Sequence, residues 1–97
     1  MEQKRIKELV NSIGALQHEA IKQTLLVWKP KAERIISSNS LDINEIEHTL
    51  DNLCSAAFDD NVLIVFKKLC RYYYDIDPQA TFEHIQIYRE MWDSDDD

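Results

Sequence analysis

The chain is expected to be all-α: a four- or five-helix bundle that opens with a long, kinked N-terminal helix. Three observations carry this expectation. Only one Gly and two Pro occur in 97 residues, and turn-rich β folds consume both residue types. Apolar residues recur at gaps of three and four through most of the chain, which traces helical faces. Acid-led start signals punctuate the pattern at Asp42, Asp59 and Asp77, where a carboxylate suits a helix N-terminus. The length fits one domain of roughly 100 residues. Residues 1–92 are read as that domain and 93–97 as a disordered acidic tail.

The first element runs through Ile6, Leu9, Val10, Ile13, Leu16, Ala20, Ile21, Thr24, Leu25 and Trp28. Gly14 interrupts it at about 1 kcal/mol relative to Ala. Pro30 is worse, at about 3 kcal/mol inside a helix. Yet the stripe continues in phase through Ala32, Ile35 and Ile36, so a kink is expected there, not a break. A straight helix of this length would span about 55 Å, far beyond the ~13 Å radius of gyration of a compact domain this size. The rod must therefore bend at Gly14 or Pro30, or overhang and meet another subunit.

Ser37-Ser38-Asn39-Ser40 is a polar loop. Asp42 then N-caps a helix with the stripe Ile43, Ile46, Leu50, Leu53, Cys54 and Ala57. Glu45 is placed for a capping box, and Leu41 with Ile46 for a hydrophobic staple. Asp59 starts the next element, with Phe58 and Leu63 as its staple. Val62 to Phe66 is apolar all round and fits a buried strand on periodicity alone, but Lys67 to Arg71 resumes helical spacing. A central buried helix is therefore expected. Asp77-Pro78 starts a last helix, an acid cap followed by Pro at the first helical position, with Phe82, Ile85, Tyr88, Met91 and Trp92 as its stripe. The expected core is Leu9, Ile13, Leu16, Leu25 and Trp28 in the first element, Ile46, Leu50 and Leu53 in the second, Leu63, Phe66, Leu69 and Tyr73 in the third, and Phe82, Ile85 and Tyr88 in the last.

Charge divides along the chain. Residues 1–40 carry seven Lys/Arg against four Asp/Glu, and residues 41–97 carry four against fourteen, for an overall −7. The acidic half opposes binding to phosphates, so direct nucleic-acid contact is disfavoured despite small basic clusters at Lys4-Arg5-Lys7 and Lys29-Lys31-Arg34. No apolar run approaches the ~20 residues of a membrane span, and the N-terminus lacks the apolar stretch of a secretory signal. A cytoplasmic protein with no membrane partner is expected. Cys54 and Cys70 lie on core stripes and should be reduced, inert thiols.

No reaction is legible. Glu45 and His48 have the three-residue spacing of di-iron bundles, but such sites need two such pairs plus two more Glu. The residues three before His18 and His84 are Ala15 and Thr81, so no metal or cofactor is expected. One Gly excludes a glycine-rich phosphate loop. The chain is read as a non-enzyme.

Tyr72-Tyr73-Tyr74 is the most unusual local feature. Three successive helical residues spread over about 200° of the helix, so they cannot share one core. Tyr73 follows Leu63, Phe66 and Cys70, and Tyr72 follows Val65 and Leu69. Tyr74 falls in line with Lys67 and Arg71 on a polar face. It either packs on the turn through Asp77 or joins Arg71 in a recognition patch, since Tyr and Arg are enriched at hot spots.

The function expected is an adaptor module that presents an acidic, aromatic-containing face to a basic protein partner. The residues proposed for that face are Arg71, Tyr74, Trp92, Asp93, Asp95 and Asp96. The alternative is an obligate homodimer joined through the long N-terminal helix. An inhibitor of the immunity-protein or nucleic-acid-mimic kind is a weaker variant.

Overall fold

The computed structural model describes the backbone of residues 2–92 and the side chains of residues 18–92. The described chain is four α-helices: α1 (Glu2–Ser37), α2 (Ile43–Cys54), α3 (Asp60–Tyr74) and α4 (Pro78–Trp92). Both α2 and α3 pack against all three other helices. Among the described residues α1 and α4 share no contact. The molecule is thus a central α2–α3 pair flanked on two sides.

Each helix boundary has a local cause. Asn39 adopts φ 54° after α1, a left-handed conformation that Asn tolerates better than most residues. Ser40 N–H donates to the Ile35 carbonyl and Asn39 N–H to the Ile36 carbonyl, which closes α1 as a Schellman motif. Asp42 accepts from Glu45 N–H at 3.2 Å, and Asp59 accepts from Asn61 N–H at 3.0 Å and Val62 N–H at 3.2 Å. Asp77 accepts from Ala80 N–H at 3.1 Å. All three expected caps are formed, and Pro78 opens α4.

Leu41, the expected staple residue before α2, is 72% exposed. Only half of the capping box is made, because Asp42 N–H bonds Ser40 Oγ and Glu45 reaches Lys31 instead, at 4.0 Å. Phe58 sets its ring against Trp92, with centroids 5.1 Å apart.

The core is one cluster. Ile46, Leu50 and Leu53 of α2 meet Val62, Val65, Phe66, Leu69 and Tyr73 of α3, with Ala32 and Ile35 of α1 closing the side. Ala56 and Ala57 are buried in the α2–α3 turn, where small side chains let the two helices approach. Val62–Phe66 is helical, as the resumed spacing at Lys67 implied. Leu25, Trp28, Leu63 and Tyr88 pack on the cluster while partly exposed.

Two core expectations fail. Phe82 is 59% exposed and Ile85 37%. The inward face of α4 is Thr81, His84 and Tyr88, about 100° around the helix from the Phe82–Ile85 direction at ~100° per residue. Thr81 satisfies its hydroxyl on the Asp77 carbonyl and so tolerates full burial. Leu9, Ile13 and Leu16 lie outside the residues whose side chains are described, as does a bend at Gly14. Pro30 lies within α1, and both Pro30 and Leu26 are exposed. The Leu26 carbonyl, which loses its helical donor to Pro30, is therefore on the water side.

Candidate functional site

Turning Thr81 and His84 inward leaves α4 with its larger apolar residues outside. The consequence is a groove of about 680 Å³ along α3 and α4. Its floor is Leu63, Phe66 and Cys70 from α3 with Ile85 and Tyr88 from α4. The rings of Phe66 and Tyr88 meet across the seam at 5.7 Å. Positions 63, 66, 70 and 74 follow the three-and-four spacing of one α3 face, so the groove runs the length of that helix.

The rim is basic. Lys67 and Arg71, one turn apart on α3, face Arg89 of α4, with Asp75 as the acid of the lining. Among the described residues, none of the three cations has a carboxylate within 4.0 Å. On a chain of net −7, three cations around one apolar floor form a local reversal of sign. Tyr74 stands at the end of the groove, 58% exposed. It also borders a second hollow of about 610 Å³ with Phe82, over the Asp77-Pro78 turn. Tyr74 thus lies between the groove it shares with Arg71 and the hollow over the Asp77-Pro78 turn.

The expected site residues separate. Arg71 and Tyr74 share the groove. Trp92 does not: its indole N–H donates to the Cys54 carbonyl at 2.7 Å and its ring packs on Phe58. Asp93, Asp95 and Asp96 lie outside the described residues. Arg89 escaped sequence reasoning because only the fold brings it opposite Arg71. A basic residue in the last turn of a helix suits the dipole and asks for no other explanation.

A second polar cluster sits between α2, α3 and α4. Tyr73 donates its hydroxyl to Glu47 Oε2 at 2.7 Å. Buried His84 lies between two carboxylates, with Nδ1 3.4 Å from Asp51 Oδ1 and Nε2 4.0 Å from Glu47 Oε2. Burial, and then the bond to Glu47, push the Tyr73 phenol well above its ordinary value. The i, i+4 spacing of Glu47 and Asp51 puts both on the α2 face that receives α4, where they hold His84.

The remaining candidates are structural. Tyr72 donates to the Ser40 carbonyl at 2.6 Å, which ties α3 to the α1–α2 loop. His48 sets its ring edge-on to Trp28 at 5.3 Å, and Lys31 lies 5.2 Å over the same indole. Cys54 and Cys70 are free and buried. Desolvation raises both thiols, Cys70 to about 12, and a thiol held protonated is a poor nucleophile. Among the described residues no group of three His, Cys, Asp or Glu is arranged to hold a metal ion, and no helix is long and apolar enough to cross a membrane. Comparison with known proteins finds no matching family model, no matching curated protein and no matching solved structure.

Proposed function

We propose that the chain is a non-enzymatic protein-interaction module that docks its partner along the α3–α4 groove. The observation that carries this reading is the placement of Ile85 and Tyr74 in one groove with Lys67, Arg71 and Arg89, which have no carboxylate within 4.0 Å among the described residues. Aromatic and Arg side chains around a desolvatable floor are the usual makings of a binding hot spot. The buried, protonated thiols support a non-catalytic role. Free cysteines suit a reducing compartment, and the cytoplasm is the setting we infer.

The test is capture of partners from native lysate with mass-spectrometric identification. Arg71→Ala combined with Tyr74→Ala should abolish capture, while Trp92→Ala, on a different surface, should preserve it. Partners that survive the first pair of changes and are lost with the second would move the face to the Trp92 end.

A second reading rests on α1. Leu26 and Val27 are exposed there, and a long helix bent near Pro30 would offer them to a second copy of the chain. Sedimentation at two salt concentrations tests it. A monomer at both ends the homodimer reading.

A further inference from the structure

Resting on the docking reading above, we propose that the occupant of the α3–α4 groove is an acidic amphipathic helix of a partner protein. Length, shape and charge lead to the same occupant. Leu63 and Tyr74 mark a floor about three helical turns long at 1.5 Å per residue. The floor lies between two helices of a hairpin, and an amphipathic helix seats in such a groove through apolar anchors at i, i+3 or i+4, and i+7. Phe66, Cys70, Ile85 and Tyr88 supply an apolar bed for those anchors.

The rim fixes the sign. A single carboxylate needs one cation, but Lys67, Arg71 and Arg89 are distributed on both walls. Lys67 and Arg71 repeat at one helical turn, the same repeat at which acids recur beside an apolar stripe on an incoming helix. None of the three is neutralised by a carboxylate of the described residues, so an acidic partner meets them without displacing an existing pair. A basic partner would place like charges together at the rim, which costs affinity. Asp75, the acid that would repel an acidic partner and attract a basic one, is the lone carboxylate in the lining. The site therefore selects against the basic partner that the chain's overall charge suggests.

The probe is a displayed library of helices about fifteen residues long. Positions facing the floor vary among Leu, Ile, Phe and Met, and flanking positions vary among Glu, Gln and Lys. Selection on the intact chain should enrich Glu at the flanks. Binders should shift the nuclear magnetic resonances of Cys70, Ile85 and Tyr88, and weaken at least about tenfold on the variant with Arg71→Glu and Arg89→Glu. Both changes are at exposed positions, and an unchanged helical circular dichroism spectrum confirms the variant's fold. Enrichment of Lys at the groove would overturn the acidic occupant and leave the docking reading intact. A library that yields no groove binder would overturn both. Dodecanoate serves as the small-anion arm: groove shifts with dodecanoate and none with any helix would make the site a small-ligand pocket and sink the proposal.

Discussion

The two seams of α3 are built from opposite materials. On the α2 side, Leu50, Leu53, Val62 and Leu69 are wholly buried against one another. On the α4 side, Thr81 and His84 occupy the inward positions while Phe82, Ile85 and Ile87 face outward. The first seam uses its apolar residues to hold the fold. The second brings the rings of Phe66 and Tyr88 together at 5.7 Å, and α4 is held as well by specific contacts to α2: His84 on Asp51 and Glu47, Trp92 on the Cys54 carbonyl, and Cys54 Sγ 3.9 Å from Met91 Sδ. A helix that satisfies its docking with a few polar pairs has its larger hydrophobic surface free for another molecule. The lesson is that apolar residues on α4 report two surfaces, not one.

The largest expected effect lies in the first seam. Leu50→Ala should destabilise the protein by about 3 kcal/mol, within the 2–5 kcal/mol seen for buried leucines. Urea unfolding followed by circular dichroism measures it. A loss below about 1 kcal/mol would mean that the α2–α3 seam is not the main source of stability, and the contrast would collapse.

Alkaline pH acts next. Cys70 is held protonated up to about 12, and Tyr73 is also raised above its ordinary 10.0. The unfolded chain ionises these groups near 9.0 and 10.0, so above those values it gives up protons that the folded protein keeps. Stability is therefore complete below pH 9 and falls as pH rises toward 12, by up to about 1.4 kcal/mol per pH unit for each group. Urea midpoints across that range should decline, and Cys70→Ala or Tyr73→Phe should each flatten the decline. A midpoint constant from pH 8 to 11 contradicts the burial of both groups.

How much of this was legible beforehand follows from the range of each interaction. Asp42, Asp59 and Asp77 are readable as caps because donor and acceptor lie within three residues. The burial of Ile46, Leu50 and Leu53 is readable because a single apolar stripe marks the buried face of α2. The face of α4 is not. A stripe through Phe82 and Ile85 gives the average direction of all its apolar residues, whereas the residues that turn inward are Thr81 and His84. What makes His84 acceptable inside is a pair of carboxylates 33 and 37 positions earlier in the chain, and no local pattern records them. The groove is half legible for the same reason. Tyr74 with Lys67 and Arg71 is one helix face, but Arg89 arrives from another helix.

The two caps sharpen the contrast further. Asp59→Ala and Asp77→Ala should each cost about 1 kcal/mol of helix stability, yet they should be felt differently. Asp59 opens α3, which packs on every other helix, so its loss should lower the global midpoint. Asp77 opens α4, whose inward face is polar, so its loss should speed amide exchange in α4 ahead of global unfolding. Equal protection of α3 and α4 amides in both variants would show the four helices to be one cooperative unit.

The smallest stability effect is the most diagnostic. Phe82→Gln removes a large apolar side chain that is 59% exposed, and surface changes of this kind stay within about 0.5 kcal/mol. Unfolding should hardly change. If Phe82 instead packs on α3, its removal would cost as much as a core truncation, and the outward reading of α4 would fail with it. If the midpoint holds while binding of a partner helix weakens, the residue belongs to the second surface. The outward residues of α4 then serve recognition, and its inward Thr81 and His84 serve attachment.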